Sequence, residues 1–154
     1  MPLIRIAAVT LASLAALSWA VGAGAQQPDQ PSRFTIENKP DDTLPTIRFK
    51  AALRLLAAVQ TVYRICSECG GASDWKSYER RNGNTLNLAS RQFANAGGLR
   101  EEQKHEVDRY SEELRKQAYL LSSCPGLLAE VRDQKWDIYK AERFREDYEL
   151  VKAR

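Results

Sequence analysis

The sequence predicts an all-α protein: an antiparallel up-down-up-down four-helix bundle, disulfide-tied at one end. Three observations carry this. After Thr46 apolar residues recur at three- and four-residue steps, and no stretch keeps the two-residue alternation of a half-buried strand. Gly70-Gly71, Gly97-Gly98 and Ser122-Ser123-Cys124-Pro125-Gly126 punctuate that pattern at similar intervals, leaving four helical segments joined by short turns. Cys66 and Cys69 close the first segment and Cys124 opens the fourth, so in such a topology all three meet at one end. Each helix would be about 33–38 Å long at the helical rise of 1.5 Å per residue.

Residues 1–25 read as a secretory signal that is removed. Arg5 supplies a short positive region, Ile6 to Val21 is apolar or small throughout, and Ala23-Gly24-Ala25 offers the small-x-small pattern of a signal peptidase site, making Gln26 the mature start. The run is short for a spanning helix, which needs about 20 residues, and no basic flank follows it. The expectation is therefore a periplasmic or secreted protein with no stable membrane insertion after cleavage. Residues 26–45 read as a disordered linker, with four of the six prolines (Pro28, Pro31, Pro40, Pro45) and few large apolar residues. Docking of Phe34 and Ile36 as a short extended arm is the alternative. The single domain is expected over 46–154.

The first helix, Thr46 to Cys69, carries the widest apolar stripe. With Leu55 at zero on a helical wheel, Val59, Val62 and Cys66 fall within about 40°, and Lys50, Arg54, Thr61, Arg64 and Glu68 fall opposite, as a solvated face. Ser73 or Asp74 is placed to cap the second helix, whose seam is Trp75, Tyr78, Asn82, Leu86, Ala89 and Phe93. Asn82-Gly83-Asn84 sits in its middle as a turn signal, which predicts a kink there or a full break at Asn84. The third helix runs from about Leu99 to Ser123 on a seam of Val107, Tyr110, Leu114, Ala118 and Leu121. Pro125 fits the first position of the fourth, with Cys124 near its N-cap. Leu127, Val131 and Ile138 form that helix's stripe. Phe144, Tyr148 and Val151 centre roughly 110° away from it. A straight helix would point them into solvent. Either the helix breaks and the tail folds back, or the tail frays, or these residues form a partner surface, self-association included.

Composition excludes several functions. The chain has 23 Lys and Arg against 20 Asp and Glu, interleaved along the helices, which is no footprint for nucleic acid. Three cysteines in an exported chain predict one disulfide and one leftover thiol. Cys66–Cys124 is the expected pair, because Cys66 lies at the centre of the stripe, and Cys69 is the alternative partner. Cys66-Ser67-Glu68-Cys69 has the spacing of a redox pair, yet it sits at a helix C-terminus, where the dipole disfavours thiolate, and no βαβ pattern surrounds it. Covalent haem attachment would need His where Gly70 stands. No cofactor or metal is expected, since the one histidine, His105, falls off the third helix's seam and far from the cysteines.

Leu99-Arg100-Glu101-Glu102-Gln103 resembles the Leu-Thr-x-x-Gln motif of periplasmic helical stress adaptors and chaperones. The stretch departs from it at Arg100 and carries it once, and the chain is assigned to no family on that basis. The leading expectation is a small exported helical protein with no enzymatic activity, playing a structural or protein-interaction role toward a partner in the cell envelope. A chaperone-like or ligand-binding bundle comes second, and a thiol-redox protein using Cys66 and Cys69 third.

Overall fold

Alanine-rich, Pro45-initiated sequence makes the first helix long: α1 spans Leu44–Glu68 and ends where Gly70 takes a φ of 71° and the Gly71 N–H donates to the Cys66 carbonyl at 2.7 Å. The computed structural model describes residues 34–153; the expected signal segment and the expected linker as far as residue 33 lie outside the described residues. Among the described residues α2 (Ala72–Asn95), α3 (Glu101–Leu121), α4 (Cys124–Arg132) and α5 (Glu142–Lys152) follow, and there is no strand.

The all-α class stands, but with five helices among the described residues, and with α1 as a central helix. It packs against α2, α3 and α5 and touches α4, while α2 and α3 do not pack on one another, as consecutive helices of an up-down-up-down bundle would. The reason lies on the α1 face read as solvated. Lys50, Arg54 and Thr61 are buried there, each with partners. Lys50 Nζ donates to the Glu37 carbonyl at 2.8 Å and to Asp42 Oδ2 at 2.6 Å. Thr61 Oγ1 donates to the Ala57 carbonyl at 2.8 Å. Arg54 reaches both the chain before α1 and Asp147 of α5. Buried polar groups are tolerated where they are bonded, so α1 can be covered on this side as well.

The cover on one side is the segment expected as linker. Ile36 is fully buried and forms a second apolar cluster with Leu53 and Ala57 of α1 and Val107 of α3, flanked by Phe34, Phe49 and Tyr110. The folded domain therefore begins by Phe34, not at residue 46.

The Asn82-Gly83-Asn84 signal does not break α2, which is helical from Ala72 to Asn95. Asn82 is buried, and its side chain works between elements. Nδ2 donates to the Tyr78 carbonyl at 2.9 Å and to Asp137 Oδ1 at 3.3 Å, while Oδ1 accepts the Ile138 N–H at 3.2 Å. Arg81 donates to the same Asp137 at 3.1 Å and to the Val131 carbonyl near the end of α4 at 2.8 Å. These bonds hold a turn between Arg132 and Glu142 where the sequence pattern suggests one long fourth helix. The chain reverses there through Gln134, at a φ of 62°.

The reversal brings α5 back onto α1. Phe144 and Val151, read as candidate interface residues, are 1% and 3% exposed, and half-buried Tyr148 lies against Tyr139 with ring centroids 6.3 Å apart. They belong to the core, so the angular offset on the wheel marked a fold-back. The caps also differ: Gly71 precedes α2 and Ser123 precedes α4, and Asp74 receives Arg132 Nε at 2.8 Å in place of capping.

Candidate functional site

The last turn of α1, the C-terminal end of α3 and the first turn of α4 converge on three sulfurs. The disulfide joins Cys69 to Cys124, with Cα atoms 5.3 Å apart and a sequence separation of 55. Cys66, the expected partner, is a buried free thiol. A seam-centre position points into the core, toward α2, whereas Cys69, about 60° round the helix and at its end, reaches the start of α4. Burial first, and the Asp74 carboxylate second, push the Cys66 thiol up to about 11.

Tyr119 of α3 stands over this end. Its hydroxyl lies 3.3 Å from Cys69 Sγ and 4.0 Å from Cys124 Sγ, and donates to Glu68 Oε2 at 2.8 Å. Desolvation and the Glu68 carboxylate push the phenol up to about 12. Arg115 links Glu68, at 3.2 Å, to Glu112, at 2.8 Å. The guanidinium of Arg115 holds the Glu112 carboxyl down at about 2. Beside Cys66 a groove of about 340 Å³ opens between Tyr63, Ser67, Trp75 and Lys76. The Tyr63 and Trp75 rings meet edge to face at 5.1 Å.

Next to the disulfide, α3 ends in Leu120 and Leu121, which are 84% and 83% exposed. Leu121 is therefore not a seam residue: the chain turns extended at Ser122 (φ −156°), and the Leu120 and Leu121 side chains are left uncovered while Ala118 stays buried.

A second concavity lies at the other end of α3. Gly97 and Gly98, with φ of 81° and 98°, end α2, and the Gly98 N–H donates to the Phe93 carbonyl at 2.8 Å. The chain then runs through Leu99 and Arg100 into α3, where Gln103 Oε1 accepts the Arg100 N–H at 2.9 Å, half of a capping box. With Phe34 and Phe49, this turn walls a cleft of about 750 Å³ whose rim carries Gln92 and Asn95. Phe49 is braced edge to face by Phe93 at 5.8 Å.

His105 is exposed on α3, and among the described residues no group of three or more His, Cys, Asp and Glu side chains is placed to hold a metal ion. Sequence reasoning located the sulfur end but missed the cleft and the exposed leucine pair. Cleft residues come from three separate stretches, and in the sequence Phe34, Pro45, Gly97-Gly98 and the motif-like Leu99, Arg100 and Gln103 each stand out for a different reason, with nothing to join them. The chain matches no family model, no curated protein and no solved structure.

Proposed function

We propose that this chain is an exported, non-enzymatic helical protein that acts by binding another protein in the cell envelope. The observation that carries the reading is the Leu120–Leu121 pair, standing in solvent beside the disulfide. Two adjacent leucines left uncovered at the end of a helix are the kind of apolar surface that a partner buries. Export is supported by the apolar segment ending at Ala23-Gly24-Ala25 and by the Cys69–Cys124 link, which an oxidising compartment maintains. In this reading residues 1–25 are cleaved and the mature protein is periplasmic or secreted.

Expression of the full chain in a Gram-negative host tests the compartment. The expected product is found outside the cytoplasm, begins at Gln26 and carries no free thiol except Cys66. A cytoplasmic product that keeps residues 1–25 would refute export. Crosslinking in the envelope tests the partner. Leu120→Ser with Leu121→Ser should abolish a crosslinked species that the parent forms. A species unaffected by both changes would refute this surface, and one of twice the chain mass would identify the partner as a second copy.

The cleft favours a second reading, a chaperone-like or ligand-binding protein, because its wall is Leu99, Arg100 and Gln103 of the motif-like stretch, set against two phenylalanines. Suppression of aggregation of a model client, lost in Phe49→Ser, would support it. Equal behaviour of parent and variant would remove it.

A further inference from the structure

Beyond a binding role, we propose that Cys66, Cys69 and Cys124 form an internal disulfide relay, in which Cys66 attacks Cys69 and releases Cys124 as a free thiol. The geometry of the attack is set by α1. Residues three apart in an α-helix have Cα atoms about 5 Å apart, inside the roughly 4.4–6.8 Å range that a disulfide spans. The helical turn between them is intact, with the Cys69 N–H donating to the Ile65 carbonyl at 2.9 Å. A Cys66–Cys69 bond also needs the Cβ atoms, about 5–6 Å apart at this spacing, to close to about 3.5–4.5 Å, a shift that Cys69 can supply because it lies past the last helical residue of α1.

The exchange is balanced and consumes no oxidant. The Cys66 thiolate forms a bond to Cys69 Sγ, the Cys69–Cys124 bond breaks, and its electron pair leaves with Cys124 Sγ. The proton lost from Cys66 passes to solvent in the groove beside it, and the departing Cys124 thiolate takes one up. Direction follows from the two helix ends. Cys124 is the first residue of α4, where the dipole and unpaired N–H groups favour thiolate, so it is the better leaving group. The Tyr119 hydroxyl, which donates to Glu68 at 2.8 Å, lies 4.0 Å from Cys124 Sγ and reaches the new thiolate by turning its proton away from Glu68. Cys66 and Cys69 lie at the negative end of α1, which disfavours their leaving.

At rest the relay is held by burial. Cys66 is 1% exposed, and it borders the groove lined by the edge-to-face pair of Tyr63 and Trp75 and by Lys76. Opening of that aromatic cover admits solvent to the thiol. Exchange then unties α4 from α1 while the protein stays fully oxidised, and presents Cys124 to an incoming thiol-bearing partner.

The test uses the oxidised full chain at pH 9 with a small alkylating trap, followed by trypsin and a glutamate-specific protease that cuts between Glu68 and Cys69. The expected result is an alkylated Cys124 in the 117–130 peptide together with a Cys66–Cys69 link, and loss of both products in Cys66→Ser. Tyr119→Phe should slow the appearance of alkylated Cys124. An alkyl group on Cys66 with Cys69–Cys124 intact would overturn the proposal, as would equal Cys124 labelling in Cys66→Ser. Cys124→Ser supplies an independent check with oxidised glutathione as oxidant. A Cys66–Cys69 bond is expected, and two persisting thiols or glutathione adducts would show that the helix cannot close it.

Discussion

Asp147→Ala should be among the most damaging single changes in this protein, although Asp147 lies seven residues from the chain end. Arg54 Nε and Nη2 donate to the two Asp147 oxygens at 2.9 and 2.6 Å, a two-pronged pair whose side chains are only 9% and 11% exposed. Arg54 Nη1 also donates to the Ile36 carbonyl at 2.7 Å and to Asn38 Oδ1 at 3.2 Å. One guanidinium thus joins α1, α5 and the N-terminal arm. Removing the carboxylate leaves a buried cation with neutral acceptors only, which costs about 3–5 kcal/mol. The retained bonds to Ile36 and Asn38 place the expected loss near the lower end, about 3 kcal/mol. Against a typical domain stability of about 5–15 kcal/mol, that is a large fraction. Urea unfolding should show a midpoint lowered by roughly 2 M with an unchanged slope. Arg54→Met combined with Asp147→Leu removes the charge together with its partner and should recover most of the loss. A single variant within about 1 kcal/mol of the parent, or a double variant as unstable as the single, would refute the tie between tail and central helix.

Four further outcomes follow from the same structure. Reducing Cys69–Cys124, with its separation of 55 residues, should cost about 4 kcal/mol by chain entropy while far-UV circular dichroism stays helical; an unchanged melting temperature would contradict the staple. Tyr78→Phe should be neutral or stabilising by up to about 1 kcal/mol, because the buried hydroxyl has no hydrogen-bond partner among the described residues; a clear loss in thermal melting would expose a bond that the structure lacks. Truncation to residue 41 should lower stability by at least about 2 kcal/mol, since Ile36 is fully buried and the Ile36 and Glu37 carbonyls accept from Arg54 and Lys50; an unchanged urea midpoint would mean that the arm is not docked. Cys66 has its folded value raised from 9.0 to about 11, so its stabilising contribution is complete below pH 9 and is lost as pH rises through that interval; Cys66→Ala should flatten the parent's alkaline decline, and an identical decline in both would assign it elsewhere.

The stripe Leu55, Val59, Val62 and Cys66 places α1 in the core because an apolar face at helical period has one way to leave water. The same logic located α3, through Val107, Leu114 and Ala118, and gathered the three cysteines at one end of the fold. Local chemistry also set the ends of α1 and α2, where Gly70 and Gly97 take conformations that side chains resist. Periodicity reports one face of one helix and says nothing of what will cover the other. Arg54 and Lys50 read as solvated because their acceptors, at Asp147, Ile36 and Glu37, are remote or lie in a proline-rich stretch with no pattern of its own.

What the sequence by itself determined is the helical class, the buried stripe of α1, and the meeting of the cysteines, all consequences of apolar spacing and glycine punctuation along the chain. Only the tertiary structure decided that Cys69 bonds Cys124, that Asn82 sits inside an unbroken α2, and that the tail folds back to bury Phe144 and Val151. Each of those outcomes depends on a partner from a distant segment. Cys69 has the first turn of α4, Asn82 has the Asp137 turn, and α5 has the guanidinium of Arg54. A residue's own preference, about 1 kcal/mol for a glycine within a helix and less for an asparagine, is smaller than the buried bonds that such a partner supplies.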